Sequence, residues 1–183
     1  MDYTLHAAGL TRRLPLCGIS DDLYIAAFVI FGDVELTRAC AEHLLGILPP
    51  GTDLLITAEA KGIPLVYEMA RVSGLPYLVA RKAAKLYMKD VCSVEVRSIT
   101  TAARQTLYID RDDAEAMRGK GVTLVDDVIS TGESLRALEK LVITAGGTVA
   151  GRLAVLAEGD AHLRQDIRYL ERLPLFNAKG EEL

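Results

Sequence analysis

Half of the 183 residues are apolar, enough to give one domain a substantial buried core. Lys and Arg number 21 against 25 Asp and Glu, a formal charge of -4, so no basic field tracks a nucleic-acid backbone and no Lys/Arg block suits an anionic membrane surface. No apolar run reaches the roughly 18 residues of a membrane helix, and the opening MDYTLHAAGLTRRLPLC lacks a basic segment followed by a long apolar one; a cytoplasmic protein with neither nucleic-acid nor membrane partners is expected.

In chain order, the first thirty-odd residues show no clear alternation of elements. Glu35 to Leu48 then place Leu36, Ala39, Cys40, Leu44, Ile47 and Leu48 at helical spacing, and Pro-Pro-Gly stops the helix. Asp53 to Ala58 has the apolar character of a buried strand, followed by a helix from near Pro64 to Gly74 and a strand in LPYLVAR. CSVEVRSITT and RQTLYID alternate β-formers with polar residues and suit an antiparallel pair. A charged segment, 111–121, leads to the strand VTLVDD, the helix ESLRALEKLVITAGG and the strand TVAGRLAVLAE. This alternation predicts an α/β fold, a mostly parallel sheet covered on both faces. A single domain is expected over 1–183, its core at about 35–158, with 1–34 and 159–183 (including IRYLERLPLFNA) as a cap over one end of the sheet. Cys17, Cys40 and Cys92 are odd in number and far apart, which fits small core residues rather than a disulfide framework or zinc site.

The chemistry concentrates in VTLVDDVISTGES, Val122 to Ser134. In an open parallel sheet, ligands bind beyond the carboxyl ends of the strands, where this segment falls. Gly132 permits a tight turn, Ser130, Thr131 and Ser134 offer hydroxyls, and successive N–H groups at a helix start form a nest for phosphate. Asp126 and Asp127 would repel a bare phosphate, yet carboxylates accept hydrogen bonds well, so the pair suits a ligand with hydroxyls beside its phosphate. A sugar phosphate meets that description.

The segment resembles the PRPP-binding signature of the type I phosphoribosyltransferases: an apolar strand, two acids and a Thr-Gly turn. TAEAKGIPL, Thr57 to Leu65, is similar to the family's pyrophosphate loop, and VARKAAKLY, Val79 to Tyr87, resembles the basic stretch of the purine enzymes. The resemblance covers about 53–158. It implies a parallel sheet flanked by helices, with a small hood and an antiparallel flap, and a pentosyltransferase that passes ribose 5-phosphate from PRPP to a nucleobase. By the same resemblance, Val128, Ile129, Ser130, Thr131, Gly132, Glu133 and Ser134 hold the 5-phosphate, and Asp126 and Asp127 the ribose. Glu59, Ala60, Lys61 and Gly62, with a cis non-proline peptide around Ala60 and Lys61, face the pyrophosphate with Arg81, Lys82 and Lys85. Asp126, Asp127, Arg81 and Lys85 carry the catalytic roles, and Mg²⁺ is held mainly through PRPP.

The identity of the base is open at this level. The spacing from Arg81 to Asp126 and the two flap strands are similar to the adenine and xanthine enzymes, with RSITT resembling the flap of the xanthine type. AEAKGIPL resembles the orotate enzymes, whose His-Gly flap pair is missing here. Phe28, Ile30 and Phe31 are apolar candidates for packing against a purine, and 86–105 is the expected mobile flap. The family implies a homodimer, and a purine, adenine first, is the expected acceptor. The alternatives are an orotate enzyme or a non-catalytic regulator that senses PRPP.

Overall fold

The computed structural model describes residues 1–97 and 104–183, without the side chains of 96, 97, 104 and 105. Three strands come first, β1 (Asp2–Ala7), β2 (Leu10–Gly18) and β3 (Tyr24–Ala26). Then follow α1 (Val34–Gly46), β4 (Leu54–Ala58), α2 (Ile63–Ser73), β5 (Tyr77–Ala80), the hairpin β6 (Cys92–Arg97) and β7 (Arg104–Ile109), and α3 (Arg111–Met117). The last part holds β8 (Gly121–Ile129), α4 (Glu133–Thr144), β9 (Thr148–Glu158), a 3-10 turn at Gly159–Leu163, β10 (Arg168–Leu173) and β11 (Leu175–Phe176).

The central sheet has the order β10-β9-β8-β4-β5, with every pairing parallel. Residues alternate between its two faces, which divides the core in two. Leu54, Ile56, Leu124 and Ala154 face α4 and the hairpin, meeting Leu138, Leu141, Leu107 and Ile109. Leu55, Val125, Leu153 and Val155 face α1 and α2, meeting Leu36, Leu44, Leu65 and Met69. Helix ends follow from local chemistry. Asp33 caps α1 by accepting the Leu36 N–H at 3.0 Å, Pro64 stands in the first turn of α2, and Gly74 ends α2 in the left-handed conformation.

The expected cap divides. β11 joins β1, β2 and β3 in a separate antiparallel sheet, the hood, which packs on the α1/α2 face through Leu5, Leu14, Phe28 and Phe176. β10 instead extends the central sheet, because Ile167 and Leu173 are buried and its register with β9 runs from Arg168–Leu153 to Leu173–Glu158. The charged segment after residue 110 is a helix, α3, capped by Asp110 and too short for helical periodicity to show. Of the cysteines only Cys40 is a core residue; Cys17 is exposed and Cys92 partly so.

The hairpin is rooted in the core. Val94, Leu107 and Ile109 are buried against α4, and each such side chain stabilises its position by roughly 1.5–3 kcal/mol. Within the expected flap, 86–105, Val94 of β6 is packed against α4 and ties that part of the segment to the core. RSITT lies outside the described residues except for Arg97.

Candidate functional site

β4 pairs with β8 only through Leu54–Ile56 against Val122–Leu124, while β8 stays paired with β9 as far as Ile129. Beyond Val125 the neighbours β4 and β8 therefore part, and their strand-to-helix loops face each other across the opening. Residues 128–134, together with Asp126 and Leu135, line a cavity of about 170 Å³ at the start of α4. Gly132 makes it possible: φ is 75°, a conformation that side chains with a Cβ rarely adopt, and it serves as the helix N-cap without any side-chain cap. The first intrahelical bond runs from Arg136 N to Gly132 O, so the positive end of the α4 dipole is turned to the cavity.

On the opposite loop, the Glu59–Ala60 peptide is cis, one residue earlier than the expected Ala60–Lys61 position. Gly62 is required by crowding, since a Cβ there would stand 2.1 Å from Thr57 Oγ1, a fully buried side chain. Glu59, Ala60 and Lys61 line a second cavity of about 310 Å³ with Lys82, Asp126, Asp127, Val128 and Ser134. Asp126, Val128 and Ser134 border both cavities, so the two form one continuous site with Asp126 at its waist and Asp127 next to it on the second cavity's side.

Asp127 is buried, and Lys61 Nζ lies 2.9 Å from its Oδ2, off the hydrogen-bond direction, so the oxygen gains charge neutralisation without an aligned donor. Asp126 is partly open to the cavity and accepts the Asp127 N–H at 2.9 Å. Removal from water, followed by the neighbouring Asp127 charge, pushes the Asp126 pKa up to about 8. A ligand offering hydroxyls or a cation would restore the ionised form. Glu59 moves the other way: the Lys82 N–H, donated at 3.0 Å, and then nearby basic side chains hold it below the usual carboxylate range.

Other candidates are placed differently. Arg81 does not line either cavity; Nη1 is 3.7 Å from Glu59 Oε1, and its main chain bridges to Tyr108, tying β5 to the hairpin. Lys85 sits in a turn closed by the Met88 N–H and stays close enough to Glu59 to lower its pKa. Of the trio Phe28, Ile30 and Phe31, Ile30 is fully buried as core and Phe28 is 5% exposed, which corrects these two as a packing surface, while Phe31 is half exposed. That segment is linked to the site through the Phe28 carbonyl, which accepts from Lys61 Nζ at 3.4 Å. Sequence patterns missed Arg164, whose guanidinium packs against Gly132. No local motif marks it, because the contact joins residues 32 positions apart (164 minus 132).

Two carboxylates at the waist are suitable oxygen ligands for a Mg²⁺ that also keeps substrate oxygens and waters. Among the described residues, no group of three or more His, Cys, Asp or Glu is placed to hold a metal unaided. The residues present therefore fit an ion shared with a phosphorylated ligand.

A family model, phosphoribosyl transferase domain, matches residues 35–176. A hypoxanthine/guanine phosphoribosyltransferase of Methanosarcina mazei is 30% identical over 132 residues, 72% of this chain and 66% of that relative. An orotate phosphoribosyltransferase of Nocardioides sp. is 29% identical over 126 residues, covering 69% of this chain and 60% of the relative. The chain thus spans just under two thirds of the length of these relatives. In the solved adenine phosphoribosyltransferase of Thermoanaerobacter pseudethanolicus the same fold recurs with a TM-score of 0.65 at 26% identity, over 78% of this chain and 83% of that one.

Proposed function

The chain belongs to the phosphoribosyl transferase domain family, and from that premise we propose that it transfers ribose 5-phosphate from PRPP to a purine base and releases pyrophosphate. The observation that carries the proposal is the pair of joined cavities. One offers amides and hydroxyls, the other Lys61 and Lys82, and the two aspartates stand between them. PRPP has the matching sequence of groups: a 5-phosphate, a ribose with hydroxyls, and a pyrophosphate.

In this scheme residues 128–134 anchor the 5-phosphate, and Asp126 and Asp127 accept hydrogen bonds from the ribose hydroxyls. A base nitrogen attacks the ribose C1 carbon; the C1–O bond breaks, its electron pair leaves with pyrophosphate, and the base N–H proton passes to solvent. Lys61 and Lys82 offset the charge collecting on the leaving group, while the carboxylates favour positive charge on the ring. Mg²⁺ arriving with PRPP supplies further neutralisation of the pyrophosphate. Arg81 and Lys85 support this loop through Glu59.

Adenine is the first acceptor to test. The Phe28 carbonyl at the rim of the site can accept from an exocyclic amine, whereas a 6-oxo group there would face another acceptor. The orotate relative and the shared KGIP loop favour a second reading, a pyrimidine acceptor. Pyrophosphate release from PRPP with adenine, hypoxanthine, guanine, xanthine and orotate separates them. Turnover with a purine supports the proposal, orotate alone replaces it, and tight PRPP binding without turnover points to a sensor.

The same proposal includes a cytoplasmic homodimer. No helix among the described residues is long and apolar enough to cross a membrane. Val34 and Tyr67, exposed by 69% and 53%, border one apolar cavity with Pro64, a surface suited to a second copy. Light scattering on the purified protein measures the state directly.

A further inference from the structure

We propose that Arg164 is a positioning residue of the phosphate loop, holding Gly132 in place and turning a positive charge toward the anion. The inference rests on the assignment of that loop to a ribose 5-phosphate. From Asp126 to Ser134 the chain carries three acids, Asp126, Asp127 and Glu133, and no lysine or arginine. Within the segment itself, only amide dipoles and hydroxyls are offered to a phosphate. The cation comes from elsewhere in the chain, from the end of the 3-10 turn that follows β9.

Arg164 Nη1 lies 2.2 Å from where a Cβ on Gly132 would stand, so the guanidinium occupies the space a side chain would take. Its direction is fixed. Nε and Nη2 donate to the two carboxylate oxygens of Asp166, at 3.0 and 2.8 Å, and this two-pronged bond leaves Nη1 turned to the loop. Asp166 is itself held 3.7 Å from Arg152 Nε, and Arg152 is paired with Glu139 of α4. The four groups sum to no net charge, but their order places a guanidinium nearest the loop, so the cluster presents the positive end of a dipole. Arg164 does not line the phosphate cavity. It acts through Gly132 and through its field, across one thickness of backbone. Gly132 then has two reasons to lack a side chain: its positive φ and the approach of this cation.

The test is calorimetric titration of inorganic phosphate and of ribose 5-phosphate, at low and high salt, on the parent, Arg164→Met and Arg164→Lys. Thermal unfolding of each protein is measured alongside. With the stem kept and the charge removed, Arg164→Met is expected to bind both ligands about tenfold more weakly, with a flatter salt dependence than the parent. Arg164→Lys, which keeps the charge, should recover most of the loss. In turnover, the methionine change should raise the KM for PRPP and leave kcat nearly unaltered. Parent-like binding by Arg164→Met overturns the inference. So does a lysine variant as weak as the methionine one, since packing rather than charge would then be at work. If Arg164→Met fails to fold, the lysine variant and the salt dependence of the parent decide by the same criteria. A parent that binds neither ligand fails at an earlier point, the assignment of the loop itself.

Discussion

The two loops that face each other at the mouth of the sheet are built alike and charged differently. Each follows a parallel strand, each opens a helix, and each depends on one glycine. In the β8–α4 loop Gly132 is needed for its dihedral angles, and the proposed anion site consists of backbone dipoles with the Arg164 guanidinium behind Gly132. In the β4–α2 loop Gly62 has ordinary angles but no room for a side chain, and the charge is carried by Lys61 at the cavity wall. On the proposed function, one loop would bind by preorganised backbone geometry and the other through a lysine side chain, which would suit an anchored phosphate on one side and a departing group on the other.

Gly132→Val strikes at the geometric loop and should have the largest effect. A β-branched residue at φ 75° is strained, and its Cβ would overlap Arg164 Nη1. We expect affinity for both inorganic phosphate and PRPP to fall by about a hundredfold, roughly 2.7 kcal/mol, with a lowered unfolding midpoint. Calorimetry showing parent-like phosphate binding would mean that the loop does not depend on this turn.

Changing the acids tests the waist between the loops. Asp126→Asn or Asp127→Asn should each weaken PRPP by about 1.5 to 3 kcal/mol, the worth of a charge-assisted hydrogen bond. Inorganic phosphate in the β8–α4 loop should bind no worse, because removing a negative neighbour cannot repel it. If both variants titrate with PRPP as the parent does, the carboxylates do not touch the sugar.

The difference between the loops also decided how far the sequence could be followed. VTLVDDVISTGES was legible because strand, acids, turn and helix start are consecutive, and a local pattern can carry local geometry. Lys-Gly marked the second loop, but the partner of Lys61 is Asp127, 66 residues on (127 minus 61), and strand order alone brings them together. The same limit hid Arg164. It also misdirected the reading of Phe28 and Ile30, since an apolar run beside a site looks identical whether it lines a cavity or fills the core. β10 was taken for cap because RYLERL mixes apolar and charged residues, the pattern of an edge strand half open to solvent.

A smaller effect is expected at Gly62, where the crowding comes from one side chain, that of Thr57. Gly62→Ala should destabilise the protein by about 1 to 3 kcal/mol, the usual result of overpacking, and raise the KM for PRPP. Adding Thr57→Ala removes Oγ1 and should return part of that loss, so a double-mutant cycle of unfolding free energies would show coupling. Strict additivity would mean that the glycine serves the loop in some other way, and the contrast with Gly132 would lose its physical basis.

The smallest effect is a proton. The folded protein raises the pKa of Asp126 to about 8, whereas an unfolded aspartate titrates near 4. Between those limits the folded state binds more protons than the unfolded state, so this group makes stability fall as pH rises, and its contribution levels off above about 8. Ligand binding runs the opposite way. If ribose hydroxyls or a shared Mg²⁺ favour the carboxylate, PRPP must displace the proton, and its affinity should climb with pH by less than tenfold per unit until it levels near 8. Titrations at pH 6.5 in buffers of different ionisation enthalpy should register release of up to about one proton on binding PRPP with Mg²⁺. Sulfate, which stays a dianion at this pH and fills only the geometric loop, should leave that proton in place, and Asp126→Asn should remove the part of the release that Asp126 supplies with PRPP. Equal proton release with both ligands would assign the titrating group to the phosphate loop instead of the waist, and the division of labour between the two loops would have to be redrawn.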